Sequence, residues 1–159
     1  MKEIIKATLE RLGYQLSKIG HYTSPSSDDI LKNIFDENDE IIIFDVGAYT
    51  GTSAVKYKKY FRNSVIYSFE PFIDSFNVLS KLNLSKFSAF NFGLSNKNTI
   101  EKFIINRGVA TNSLLNLSKN AYDTWDGNEG LSEVKSIDCH FITLDKFCDD
   151  KSIDYINFL

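Results

Sequence analysis

Cysteine and proline are scarce in this chain, two of each in 159 residues, and methionine and tryptophan occur once each. Cys139 and Cys148 lie nine residues apart around a lone His140, a spacing that fits neither a zinc ligand set nor a disulfide framework. No bound metal and no disulfide is therefore expected. Long hydrophobic runs are also missing: no apolar window reaches the roughly 18 residues needed to span a bilayer, so no membrane span is expected. The N-terminal stretch Met1–Glu10 mixes acids among its apolar residues and lacks the unbroken core of a signal peptide, which points to a cytoplasmic protein. Nor is there an excess of one charge. Eighteen Lys and Arg face 21 Asp and Glu, a net charge of -3, so there is no footprint for nucleic acid. The single basic cluster, Lys56, Lys58, Lys59 and Arg62 with Tyr57, Tyr60 and Phe61, reads as the solvated face of a helix.

Core-forming residues are abundant, with 43% hydrophobic and 14% aromatic, enough for one core in a chain of single-domain size. Residues 1–40 read as an N-terminal helical adaptor. Ile5, Leu9, Leu12, Leu16 and Ile19 recur at helical spacing, and Thr23–Ser27 is turn chemistry that caps a second helix over Asp28–Phe35. The main body, 41–159, opens on the apolar run Ile41–Phe44, the pattern of a strand buried on both faces of a parallel sheet. A glycine-containing turn follows, then a helix from about Thr52 to Phe61.

The unit repeats, with a strand at Val65–Phe69, a helix over Asp74–Leu82 and a third strand at Phe87–Phe92. Such alternation predicts an α/β fold with a Rossmann-like, doubly wound, mostly parallel sheet. From Thr99 to Cys139 the pattern loosens into an excursion, with a strand at Glu101–Ile105 and a loop over Asp123–Glu133. Cys139–Ile142 then suggests a strand, Thr143 a helix cap, and Ile153–Leu159 a last core strand.

Ligands of open parallel sheets bind beyond the carboxyl ends of the strands, where glycines let them approach the backbone. Gly47 and Gly51 stand at that turn after the first strand. Their spacing is Gly-x-x-x-Gly, with Tyr49 where a dinucleotide fingerprint places the glycine that admits a pyrophosphate. A ligand without phosphates is favoured over NAD. Glu70 ends the second strand, where a carboxylate can accept hydrogen bonds from both hydroxyls of a ribose. Asp45 has two readings, a ligand contact or an acceptor of backbone N–H groups that fixes the loop.

Taken in order, Asp45-Val-Gly-Ala-Tyr-Thr-Gly51, Phe69-Glu-Pro71, Gly93-Leu-Ser95, Asn112-Ser-Leu114 and Thr143-Leu-Asp145 resemble the successive motifs of the FkbM family of methyltransferases. The resemblance implies a class I methyltransferase fold with S-adenosylmethionine as cofactor, and transfer of a methyl group to oxygen on a small molecule or saccharide. By that resemblance the loop with Asp45, Gly47, Ala48, Tyr49 and Gly51 holds the methionine part of the cofactor. Glu70, with Pro71 after it, holds the ribose, and Gly93 and Leu94 lie beside the adenine. Tyr49 stands where the family commonly has Asn. No residue identifies itself as a catalytic base; His21, His140 and Asp145 are the candidates.

Family members continue past the strand matching Ile153–Leu159 with a Lys-Ile-Asp-x-Glu-Gly segment and further strands. The expectation is thus a sheet incomplete after its fourth core strand, from a truncated chain that is unstable alone, dimerises through the exposed edge, or belongs to a longer product. Catalysis by this chain itself stays open. A non-catalytic cofactor-binding fragment and a nucleotide- or NAD-binding domain are the alternatives.

Overall fold

The computed structural model describes residues 11, 25–107, 112–114 and 133–159. The chain divides into two units, Met1–Phe35 and Asp36–Leu159. In the first, helix α1 spans Ser27–Ile34, with Ser26 and Asp29 forming a reciprocal capping box. This satisfies two amide donors that a helix start leaves orphaned. The helix expected over Lys2–Ile19 lies, apart from Arg11, outside the described residues, as does His21. Among the described residues, no helix is long and apolar enough to cross a membrane.

The second unit is mixed α/β. β1 (Ile42–Val46), β2 (Val65–Phe69) and β3 (Phe87–Phe90) form a parallel sheet in the order β1-β2-β3. Helices α2 (Thr52–Tyr60) and α3 (Ile73–Leu79) follow β1 and β2. Register pairs Ile42 with Val65 and Val46 with Phe69, so the two strands end level and their following turns lie side by side. Burial explains the strands. Ile43, Ile66 and Phe69 are wholly inaccessible, and each such side chain contributes about 1.5–3 kcal/mol of transfer free energy.

A second sheet, order β4-β6-β5, is built from β4 (Gly93–Ser95), β5 (Thr99–Asn106) and β6 (Glu133–Thr143). β6 runs parallel to β4 and antiparallel to β5. Expectation and structure part here: the segment from Phe87 does not continue as one strand to Phe92. Beyond Phe90 its neighbour β2 has ended, and Pro71 has no N–H to offer a ladder. Asn91 instead turns its amide onto the carbonyls of Glu70 and Pro71, at 2.9 and 3.2 Å, and the chain passes into the second sheet. The helix expected to reach Leu82 ends at Leu79 because the chain tightens there: the Lys81 and Leu82 N–H groups bond three residues back, to Val78 and Leu79.

Helix α4 (Leu144–Lys151) is capped by the Thr143 hydroxyl, which accepts the Lys146 N–H at 3.1 Å. It presses Phe147 against the parallel sheet, its ring centroid 4.8 Å from that of Phe69, 5.0 Å from Phe90 and 5.5 Å from Phe44. The last core strand expected over Ile153–Leu159 is reduced to one bridge, Ile43 with Phe158, parallel to β1. The pairing does not extend backward because the Ile42 N–H is taken by the Asn157 side-chain carbonyl at 2.8 Å. A side chain there replaces the main-chain acceptor of a ladder. This contact still lies on the side of β1 away from β2, so strand order reverses at β1 while the direction stays parallel.

Candidate functional site

The turn after β1 is drawn onto the end of β2. The N–H groups of Gly47 and Ala48 both donate to the Phe69 carbonyl, at 3.0 and 3.1 Å, and that of Gly51 donates to Ala48 at 2.8 Å. The Tyr49 N–H donates to Glu70 Oε2 at 2.8 Å. Three residues of this turn take left-handed backbone, Gly47 at φ 75, Tyr49 at φ 51 and Gly51 at φ 86. The two glycines serve different ends. A Cβ on Gly47 would meet open space, whereas one on Gly51 would lie 2.3 Å from Leu82 Cδ1 and 2.8 Å from Leu79 Cδ1. Gly51 lets the start of α2 pack on the end of α3; Gly47 leaves the backbone bare toward the cleft.

Glu70 is buried, yet both its oxygens are engaged by the backbone. Oε1 accepts the Phe72 N–H at 2.9 Å while Oε2 holds Tyr49. Burial pushes its carboxyl above the usual range, partly offset by these two bonds, and the nearby Asp45 pushes it further up. A carboxylate oxygen carries two lone pairs, so each oxygen keeps one acceptor site. The segment beneath is pinned as well: the Glu70 N–H donates to Phe90, and the Cys139 thiol donates to the Pro71 carbonyl at 3.3 Å. Burial, with the negative charges of Glu70 and Asp138, raises that thiol to about 11, so it stays protonated and keeps donating.

Asp45 accepts the Ser68 hydroxyl at 3.3 Å, and among the described residues no backbone N–H reaches it. The task of bracing the turn through backbone donors falls to Glu70. Burial raises the Asp45 carboxyl, against the smaller pull of Ser68 and Lys56. A raised carboxyl contributes stability below its unfolded pKa and loses it as pH rises through the folded value. Asp45→Asn, which can still accept from Ser68, should therefore melt at the same temperature as the parent below the ordinary Asp range. It should melt higher at neutral pH, the gap opening through and above that range. Melting curves across pH check this; an Asn variant less stable at pH 7 would show that Asp45 has a partner favouring its charge.

Above these turns lies a cleft of about 590 Å³. Val46, Gly47, Tyr49, Glu70 and Pro71 form its parallel-sheet side, and Gly93, Leu94, Phe103 and Phe141 its second-sheet side. Gly93 is bare for a reason: a Cβ there would lie 2.4 Å from the Phe141 ring, which folds over it. Asn112–Leu114 complete the wall. Ser113 bridges to Ile104 of β5, and Asn112 Oδ1 accepts the Asn106 N–H at 2.9 Å.

Of the nine residues expected at the cofactor, six line this cleft: Gly47, Tyr49, Glu70, Pro71, Gly93 and Leu94. Asp45, Ala48 and Gly51 do not line it; Ala48 is buried, Gly51 packs on α3, and Asp45 acts at one remove through its charge on Glu70. Ser75, Phe103 and Phe141 line it without having been singled out. The two phenylalanines could have been found from alternation, since 103 and 105, and likewise 139 and 141, share one buried face. Ser75, in the first turn of α3, gave no signal. His140 is exposed on β6, one residue out of step with Phe141, and Asp145 is exposed on α4; neither lines the cleft. No family model, curated protein or solved structure matches this chain.

Proposed function

We propose that this cleft binds S-adenosylmethionine and that the domain is of the FkbM methyltransferase type, with a small-molecule or saccharide hydroxyl as acceptor. The carrying observation is the state of the turn after β1. A loop that cradles a pyrophosphate must present free N–H groups to it, and here the N–H groups of Gly47, Ala48, Tyr49 and Gly51 are all engaged within the protein. Asp45, close enough to push the Glu70 carboxyl up, joins it in making the site hostile to a phosphate dianion and receptive to a cation. Both features weigh against NAD.

What remains suits a cationic nucleoside. The bridge from β1 to Phe158 supports a Rossmann-like reading, because a ligand crevice forms where strand order reverses. The volume falls in the range of small-ligand sites, about 300–1,000 Å³. Glu70 has an open lone pair on each oxygen for two vicinal hydroxyls. Gly93 and Leu94, with Phe103 and Phe141, offer apolar faces for a purine. The cofactor would supply an electrophilic methyl group; the residues of this chain would bind and orient it.

Calorimetric titration with S-adenosylmethionine, S-adenosylhomocysteine and NAD tests the reading. Heat is expected with the first two and none with NAD. Binding of NAD alone, or of none of the three, would overturn it.

A further inference from the structure

Tyr49 serves the turn through its backbone. Its N–H holds Glu70, but the residue is 44% exposed and lines the cleft. Among the described residues it pairs with no other ring, and its hydroxyl makes no hydrogen bond. It also sits at φ 51, a left-handed backbone that Gly and Asn adopt at lower cost than a residue with a bulky side chain. Strain held at a ligand-facing turn points from an outlier toward a function. Tyrosine brings one thing here that Gly and Asn lack: an aromatic face, which attracts cations.

We infer that the Tyr49 ring is the cation-selecting wall of the cleft, contacting the positively charged sulfonium of a bound ligand and so favouring S-adenosylmethionine over its neutral-sulfur product. This rests on the cofactor reading above and adds a discrimination to it. Tyr49 stands on the turn after β1 with its N–H on Glu70, and both residues line the cleft, so the Glu70 charge and the π face act on one corner of it. Loss of the cationic sulfur on methyl transfer removes the attraction, and the product is held more weakly than the substrate.

The test is the ratio of affinities for S-adenosylmethionine and S-adenosylhomocysteine, measured by calorimetry on the full chain for the parent, Tyr49→Phe, Tyr49→Leu and Tyr49→Asn, with melting temperatures of the ligand-free proteins. Phe keeps the π face and should keep the ratio. Leu and Asn should each lower it about threefold to thirtyfold, the range of a cation–π contact. Asn should also raise the melting temperature as the left-handed strain is relieved. A ratio unchanged in Leu and Asn, with binding intact, overturns the role of Tyr49 and leaves the cofactor reading standing. A parent chain that binds neither ligand overturns both.

Discussion

Replacing Phe147 with Ala is expected to cost about 3–5 kcal/mol of stability, the range for deleting a buried aromatic. The ring is 2% exposed and touches rings from all three parallel strands, Phe44, Phe69 and Phe90, together with Tyr67 and Phe92. Several of these meet edge-on, as with Phe69 at 85°, the geometry that the ring quadrupole favours. Phe147 is thus the residue through which α4 covers the sheet. Its removal leaves a cavity walled by rings on separate strands, which cannot collapse together. For a chain of this length the melting temperature should fall by roughly 6–20 °C. Phe147→Leu should lose much less because it refills most of the volume, and exposed Lys146→Ala on the same helix should stay within about 0.5 kcal/mol. Thermal and urea melts of the three variants decide it. A loss below about 1 kcal/mol for the Ala variant would mean that α4 is not seated on the sheet.

The parallel strands were legible because their code is local. Ile41–Phe44 and Val65–Phe69 are short apolar runs with turn residues after them, and burial on both faces needs no alternation. What was misjudged depends on partners distant in sequence. β6 was expected only over Cys139–Ile142, yet it runs from Glu133 because it pairs with β5 across a long excursion, from Thr99 against Phe141 to Asn106 against Glu133. Such a ladder gives a half-exposed face, with charged residues between the buried ones, and local hydrophobicity dilutes its signal. The segment Ile153–Leu159 erred the other way. Its composition is strand-like, but one side-chain carbonyl, that of Asn157, takes the donor on which a longer ladder would depend.

At the candidate site, glycines and acids were easier to place than to interpret. Spacing identified Gly47 and Gly51 as turn residues, but only the neighbours of an added Cβ separate the one that faces the cleft from the one that packs a helix. The same holds for the two carboxylates. Both stand at strand ends in the sequence, and which braces the turn depends on side-chain length and on where the adjacent N–H groups point. Glu70 reaches Tyr49 and Phe72, while the shorter Asp45 reaches Ser68.

Glu70→Ala is expected to have the largest effect on ligand binding, and it must be separated from damage to the turn. Removing the carboxylate leaves the Tyr49 and Phe72 N–H groups without their acceptor, a cost of about 1–3 kcal/mol for each that stays buried. Stability should therefore fall whether or not Glu70 ever meets a ligand. Binding carries the distinguishing information: two hydrogen bonds from ribose hydroxyls to a charged acceptor, at about 1.5–3 kcal/mol each, correspond to a loss of a hundredfold or more in affinity. A cycle over residue and ligand isolates that contribution. Adenosine and 2′,3′-dideoxyadenosine are titrated into the parent and the Ala variant, at a temperature where both are folded by circular dichroism. If Glu70 holds the diol, the parent prefers adenosine strongly and the variant binds both nucleosides equally weakly. A preference for the diol that survives in the variant would reduce Glu70 to a brace for the turn, with the ribose held elsewhere in the cleft.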